Sequence, residues 1–163
     1  MMRIRPFRTR DTEQLAGIFR AAVLHSGAQA YSPAQLEAWA GAADDVKGFG
    51  EELARGVTLV AETDQGETVA FGQLAPEDRV SLLYTAPGFA RASYASGIYR
   101  MLEDRARVAG VTALHTEASR VARPFFEKQG FELIETEHVR RRGVTFERFR
   151  MTKVLEQPAA ASA

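Results

Sequence analysis

Arg79-Val80-Ser81-Leu82-Leu83-Tyr84-Thr85, then Ala86-Pro87-Gly88-Phe89-Ala90-Arg91-Ala92-Ser93, then Tyr94-Ala95-Ser96-Gly97-Ile98, passes from one backbone period to another. The run Val80 to Tyr84 is mostly apolar, which predicts a central strand covered on both faces. Pro87 ends it, because proline has no N–H to give a ladder. From Tyr94 onward Ile98, Met101, Leu102 and Arg105 recur at helical spacing until Gly110, a helix stop. Between strand and helix lie small side chains, Ala90, Ala92, Ser93 and Ala95, with one cation, Arg91. Such a segment presents free backbone N–H groups at the positive end of a helix dipole, which favours phosphate. Many strand–loop–helix units bind nothing, so the pattern by itself leaves both readings open.

On the N-terminal side, Ile4 to Arg8 reads as a short strand, and Asp11 as the cap of a helix carrying Leu15, Ile18, Phe19, Ala22 and Val23. Ser32-Pro33-Ala34-Gln35 is a fuller start signal, with proline at the first helical position and Gln35 completing a capping box. Val46, Phe49 and Leu53 suggest a further helical piece, weakened by Gly48 and Gly50. Val57 to Glu62 and Thr68 to Leu74 read as strands joined by Asp64-Gln65-Gly66. On the C-terminal side, Val111 to Ala118 reads as a strand and Ala122 to Gln129 as a short helix. Phe131 to Arg140 and Val144 to Val154 form a hairpin around Arg141-Arg142-Gly143. The order β-α-α-β-β-β-α-β-α-β-β is mixed α/β around a single sheet. One domain over residues 1–155 and a disordered tail over 156–163 are expected.

The chain has 163 residues, 45% hydrophobic and 26% charged, which fits a globular domain and excludes a disordered or collagenous chain. Lys+Arg and Asp+Glu are both 21, so no net field draws it to nucleic acid or a membrane. With no cysteine there is no disulfide framework, thiolate metal site or cysteine nucleophile, and no metal is expected. No signal peptide or membrane-spanning run is evident, so the expected location is cytoplasmic. Of the basic residues 18 are Arg and 3 are Lys, beside 27 Ala, a bias expected of a GC-rich bacterial gene.

Four blocks resemble the GNAT superfamily of acyl-CoA N-acyltransferases, over roughly Ile4 to Leu155. They are Ile4-Arg5-Pro6-Phe7-Arg8, Tyr31-Ser32-Pro33-Ala34-Gln35-Leu36-Glu37-Ala38-Trp39, Leu82-Leu83-Tyr84-Thr85-Ala86-Pro87, and the segment from Glu117 to Phe131 with Ala122, Phe125 and Gly130-Phe131 at the family's spacing. The resemblance implies a mostly antiparallel sheet splayed between its fourth and fifth strands and flanked by helices. It implies acetyl-CoA as co-substrate. The pantetheine arm would lie along the backbone of Leu83, Tyr84 and Thr85. The pyrophosphate would sit on amides of Arg91, Ala92, Ser93, Tyr94 and Ala95, and Phe125 and Phe126 would line the thiol end. The sequence departs from the family pattern in three respects. Ser93 stands where a glycine is usual, which fits only a negative φ. Phe126 stands where many relatives have a proton-donating tyrosine. Ser81 and Ser119 stand where a carboxylate and an asparagine are common.

Direct transfer needs a neutral amine against the thioester carbon, a backbone donor near Leu83 or Tyr84 for the oxyanion, and a base. Candidate catalytic residues are His25, Tyr31 and Glu117, with Glu62 as a further carboxylate. Tyr31 and Trp39 are candidates for the acceptor site. Each has a bland alternative: a helix-end histidine, a hydrophobic staple, a solvent-facing or Arg-paired carboxylate, a packing tryptophan. Arg140-Arg141-Arg142 reads as a solvated hairpin tip, since no aromatic platform interleaves the charges. The expected activity is acetyl transfer to the amine of a small molecule or peptide; the alternative is a weakly active CoA- or ligand-binding sensor. A nucleotide-binding fold of another type is disfavoured, because residues 57–85 give three successive strands without a βαβ crossover. The final hairpin is compatible with a homodimer.

Overall fold

The computed structural model describes residues 2–156. Its strands are β1 (Arg3–Pro6), β2 (Val57–Glu62), β3 (Thr68–Leu74), β4 (Arg79–Thr85), β5 (Ala113–Ala118), β6 (Glu132–Arg141) and β7 (Val144–Val154). Its α-helices are α1 (Thr12–Ser26), α2 (Pro33–Ala40), α3 (Val46–Leu53), α4 (Tyr94–Val108) and α5 (Arg123–Lys128). All seven strands join one sheet in the order β1-β2-β3-β4-β5-β7-β6. Every neighbouring pair is antiparallel except β4 and β5, which run parallel. β4 is the central strand, as its apolar run predicts, but it is not covered on both faces: beyond Val80 its residues are only partly buried because they line a cavity, and β3 is the strand buried throughout. The expected tail at 157–163 lies outside the described residues.

Alternation along the strands splits the core into two layers. Leu59, Ala61, Ala70 and Leu74 face Ile98, Leu102 and Ala106 of α4, together with Phe126 and Phe131. Val60 and Phe71 face Leu15, Phe19 and Val23 of α1, with Phe49 and Leu53 of α3. Gly72 leaves room for α4 against the sheet: a Cβ there would stand 2.8 Å from Ile98 of α4 and 2.9 Å from Leu83.

Two helix starts differ in how they follow the sequence. Ser32 caps α2 as expected, with a reciprocal bond to Gln35 and Pro33 at the first position. Asp11 does not cap α1. A short 3-10 turn, Thr9–Asp11, precedes the helix and leaves Asp11 in a helical conformation without a side-chain cap bond. Its carboxylate is instead held by the Arg5 guanidinium through two 2.8 Å bonds and by the Arg8 N–H. The Arg5 hydrogen bond holds Asp11 below the usual carboxylate range.

Candidate functional site

β4 and β5 pair only at Arg79 with His115 and at Val80 with Thr116, after which they separate. The cause lies at Ser81. Across β3, Leu74 faces Val80 and Gln73 faces Leu82, so Ser81 is one residue too many, a β-bulge. A bulge bends its strand and increases its twist, which carries β4 away from β5. The bulge is tied down by a buried side chain. Ser81 Oγ donates to Gln73 Oε1 at 2.7 Å. The Gln73 amide in turn reaches Glu52 O, Arg55 O and Thr58 Oγ1 at 2.6–3.1 Å.

Beyond Ser81 one edge of β4 is open. Ala86 N–H donates back to Val69 O of the β3 side. Counting back from Ala86, strand alternation aims the main-chain groups of Thr85 and Leu83 into the wedge. A cavity of about 560 Å³ fills this wedge and passes through the sheet. On the α4–α5 side it is lined by Ala90, Ala95, Ala122, Phe125 and Phe126, and on the α1–α2 side by Phe19, Tyr31, Trp39 and Tyr84.

The loop before α4 departs from expectation in one respect. Ser93 has φ +68° and ψ 12°, not a negative φ. The turn over Ala86 to Ala92 is closed by bonds from Phe89 N to Ala86 O and from Ala92 N to Phe89 O. A left-handed residue then joins it to the first turn of α4, the conformation for which glycine is favoured. Ser93 makes no side-chain cap bond, and the first amides of α4 lack intrahelical acceptors. The side chains of Arg91, Ala92 and Ser93 are exposed, Tyr94 is half-buried against Phe89, and only Ala90 and Ala95 line the cavity. The wedge holds an open cavity whose walls at Ala90, Ala95 and Ala122 are small side chains.

The expected catalytic candidates separate. Glu117 lines the cavity from β5 and is paired with Arg79 at 2.8 Å. Tyr31 also lines it; its hydroxyl accepts the Arg120 N–H at 2.9 Å and keeps its own proton to donate. His25 is exposed on the last turn of α1 and is not among the lining residues. Glu62 lies at the far edge, paired with Arg5 at 3.3 Å. Ser119 Oγ accepts the Ala122 N–H and starts the turn into α5. Phe126 is buried, and its ring meets Phe125, Phe131 and Tyr99. Trp39 stands edge-on between Tyr31 and Tyr84. Burial pushes the Tyr84 hydroxyl up to about 12, against a hydrogen bond to Trp39 that pulls it down. Tyr84 is therefore a neutral donor, not a base, at ordinary pH.

The hairpin tip is not simply solvated. Arg141, Arg142, Phe146 and Arg148 line the cavity, and Arg142 donates to Gly41 O at 2.6 Å. The sequence points to the final hairpin, with the segment from His25 to Phe49, for acceptor specificity, but it gives none of these four residues a role of its own. The only local signal is that Phe146 and Arg148 alternate along β7.

The Acetyltransferase (GNAT) domain family matches residues 27–153. The chain is 31% identical over 150 residues to a protein of Escherichia coli K12 described as the uncharacterized N-acetyltransferase YafP, covering 92% of this chain and 94% of that one. Among solved structures, a GCN5-related N-acetyltransferase from Rhodopseudomonas palustris superposes with a TM-score of 0.91 at 34% identity, over 94% of this chain and 95% of that one. The PaiA N-acetyltransferase of Thermoplasma acidophilum, solved with coenzyme A, shares the fold with a TM-score of 0.78 at 19% identity, over 95% and 99% of the two chains. This chain belongs to the GNAT acetyltransferase family.

Proposed function

We propose that the protein is an acetyl-CoA-dependent N-acetyltransferase that acetylates the primary amine of a small molecule or peptide by direct attack. The observation that carries this reading is the cavity passing through the sheet where β4 leaves β5, since it lets a carrier and an acceptor enter from opposite faces. Acetyl-CoA, when bound, supplies the thioester carbon that the amine attacks. The first amides of α4 hold phosphate oxygens, and Ala90 and Ala95 leave room for close approach. The open main chain of Leu83 and Thr85 orients the pantetheine arm, and the Leu83 N–H meets the developing oxyanion. Glu117, ion-paired with Arg79, takes the proton from the ammonium form of the acceptor directly or through water. Tyr31 and Trp39 shape the acceptor half. Phe126 has no hydroxyl to protonate the departing thiolate, which leaves with a proton from water.

Calorimetric titration with acetyl-CoA, followed by thiol release with a panel of amines, tests the reading. Binding with amine-dependent thiol release supports it. Binding without release from any amine leaves the sensor reading, which the buried phenyl ring at Phe126 favours. Absence of binding at millimolar acetyl-CoA removes the transferase reading and leaves only a module that binds another ligand.

A further inference from the structure

The acceptor half of the cavity has a direction. Its wall is a file of rings: Tyr84 on β4, then Trp39 at 6.4 Å, Tyr31 at 5.4 Å and Phe146 at 6.2 Å between successive centroids. Tyr84 stands on the strand that borders the wedge, so that end faces the reacting centre. Phe146 stands on the final hairpin, at the other end.

What lies beyond Phe146 follows from the hairpin register. Glu137 is opposite Arg148, Val139 opposite Phe146 and Arg141 opposite Val144, so these six side chains share one face. Arg141 and Arg148 thus flank the last ring of the file. Their charges are not equivalent. Arg148 is paired with Glu137. Arg142, next along, is spent on Gly41 O and Asp44. Arg141 bonds only the carbonyl of its neighbour Arg140 and has no carboxylate partner among the described residues. The acidic lining residues are also occupied: Glu147 by Arg120 and Glu117 by Arg79. The far end of the ring file therefore carries one uncompensated guanidinium, shaped for bidentate contact with a carboxylate or phosphate.

We propose that the acceptor is an amine whose apolar, ring-bearing body lies along Trp39, Tyr31 and Phe146 and ends in an anionic group held by Arg141. This rests on the acetyltransferase reading, and it deepens it by fixing the acceptor's polarity: amine toward β4, anion toward the hairpin.

The test compares ring-bearing primary amines of matched length that end in a carboxylate, a phosphate, a neutral amide or a second ammonium. Wild-type kcat/KM is expected to favour an anionic terminus over the amide by roughly five- to tenfold, with the carboxylate and phosphate arms showing which anion fits. In Arg141→Gln that ratio falls to about one, and in Arg141→Glu the ammonium-terminated amine becomes the better acceptor. Arg140→Gln, one residue away on the opposite face, keeps the wild-type ratio. Trp39 is the only tryptophan, so quenching of its fluorescence by the same compounds reads acceptor binding without turnover. An equal response to anionic and neutral termini, or a preference that survives Arg141→Gln, overturns the proposal. If neutral amines are acetylated without such a preference, only the acceptor assignment falls. If acetyl-CoA does not bind and anionic compounds still quench Trp39 in an Arg141-dependent way, the transferase reading falls and the anion site stands.

Discussion

Ser32 and Ser93 each stand immediately before a helix, and the chain uses them in opposite ways. Ser32 has φ −70° and ψ 159°; its hydroxyl accepts the Gln35 N–H, and the Gln35 side chain accepts the Ser32 N–H. Ser93 has φ +68°, makes no cap bond with its side chain, and has its carbonyl engaged by Ser96 Oγ at 3.1 Å. The closed start of α2 spends its amides on local order. The open start of α4 leaves them available beside the wedge, at a conformational cost of about 1–2 kcal/mol for a left-handed residue with a Cβ. A residue type that usually caps a helix is thus no sign of a filled terminus. The backbone angle at the serine decides whether the helix end is closed or left open.

The contrast can be broken at several points. The largest effect is expected from Ala95→Phe, which fills the cavity beside the first turn of α4. Acetyl-CoA affinity measured by calorimetry should fall by about a hundredfold or more, and a loss below tenfold would detach the open helix start from carrier binding. At a third start, Asp11→Asn removes the negative charge and one of the two oxygens that accept from Arg5, and should lower unfolding free energy by about 2 kcal/mol in denaturant titrations near neutral pH. Because folding lowers the Asp11 pKa, its contribution is present above about pH 4 and disappears as pH falls through the depressed folded value. The variant should therefore show a flatter acid limb than wild type; parallel limbs would mean the pair contributes nothing. Ser32→Ala should cost about 1 kcal/mol, read as a lower melting temperature, and no change would mean that the box bonds are idle. The smallest effect is a gain: Ser93→Gly should stabilise by roughly 0.5–1 kcal/mol, the relieved strain offset by added freedom of the unfolded chain. A loss of stability there would show that the left-handed serine is not strained.

These residues also mark what the sequence discloses. β2, β3 and β4 are legible because alternation and turn residues act locally, and α2 because Ser32, Pro33 and Gln35 sit within one turn. The bulge at Ser81 is not legible, because it depends on a count of residues matched against β3, a strand eight positions away. Nor is the lock on it, since the acceptors of Gln73 are carbonyls of α3 and its following turn. The sequence places Asp11 at a helix start but is silent on Arg5, which competes for it across a turn. Glu117, Tyr31 and Trp39 are recognisable as chemistry-bearing residues, and the fold brings them to one cavity; His25 has the right chemistry on the outer side of its helix. Arg141 looks like part of a solvated charge run until strand register puts it on the face of Phe146.

The place of β7 has a consequence for how the protein comes into being. Although it is the last described strand, it lies inside the sheet, between β5 and β6, with Met151 and Phe149 buried in the α4 layer. A nascent chain that has emerged only through Gly143 has no partner for the outer edge of β5 and no neighbour for β6. One wall of the wedge is then unsupported, whatever the state of β1 to β4. The binding pocket is complete only once β7 has threaded into its slot between β5 and β6.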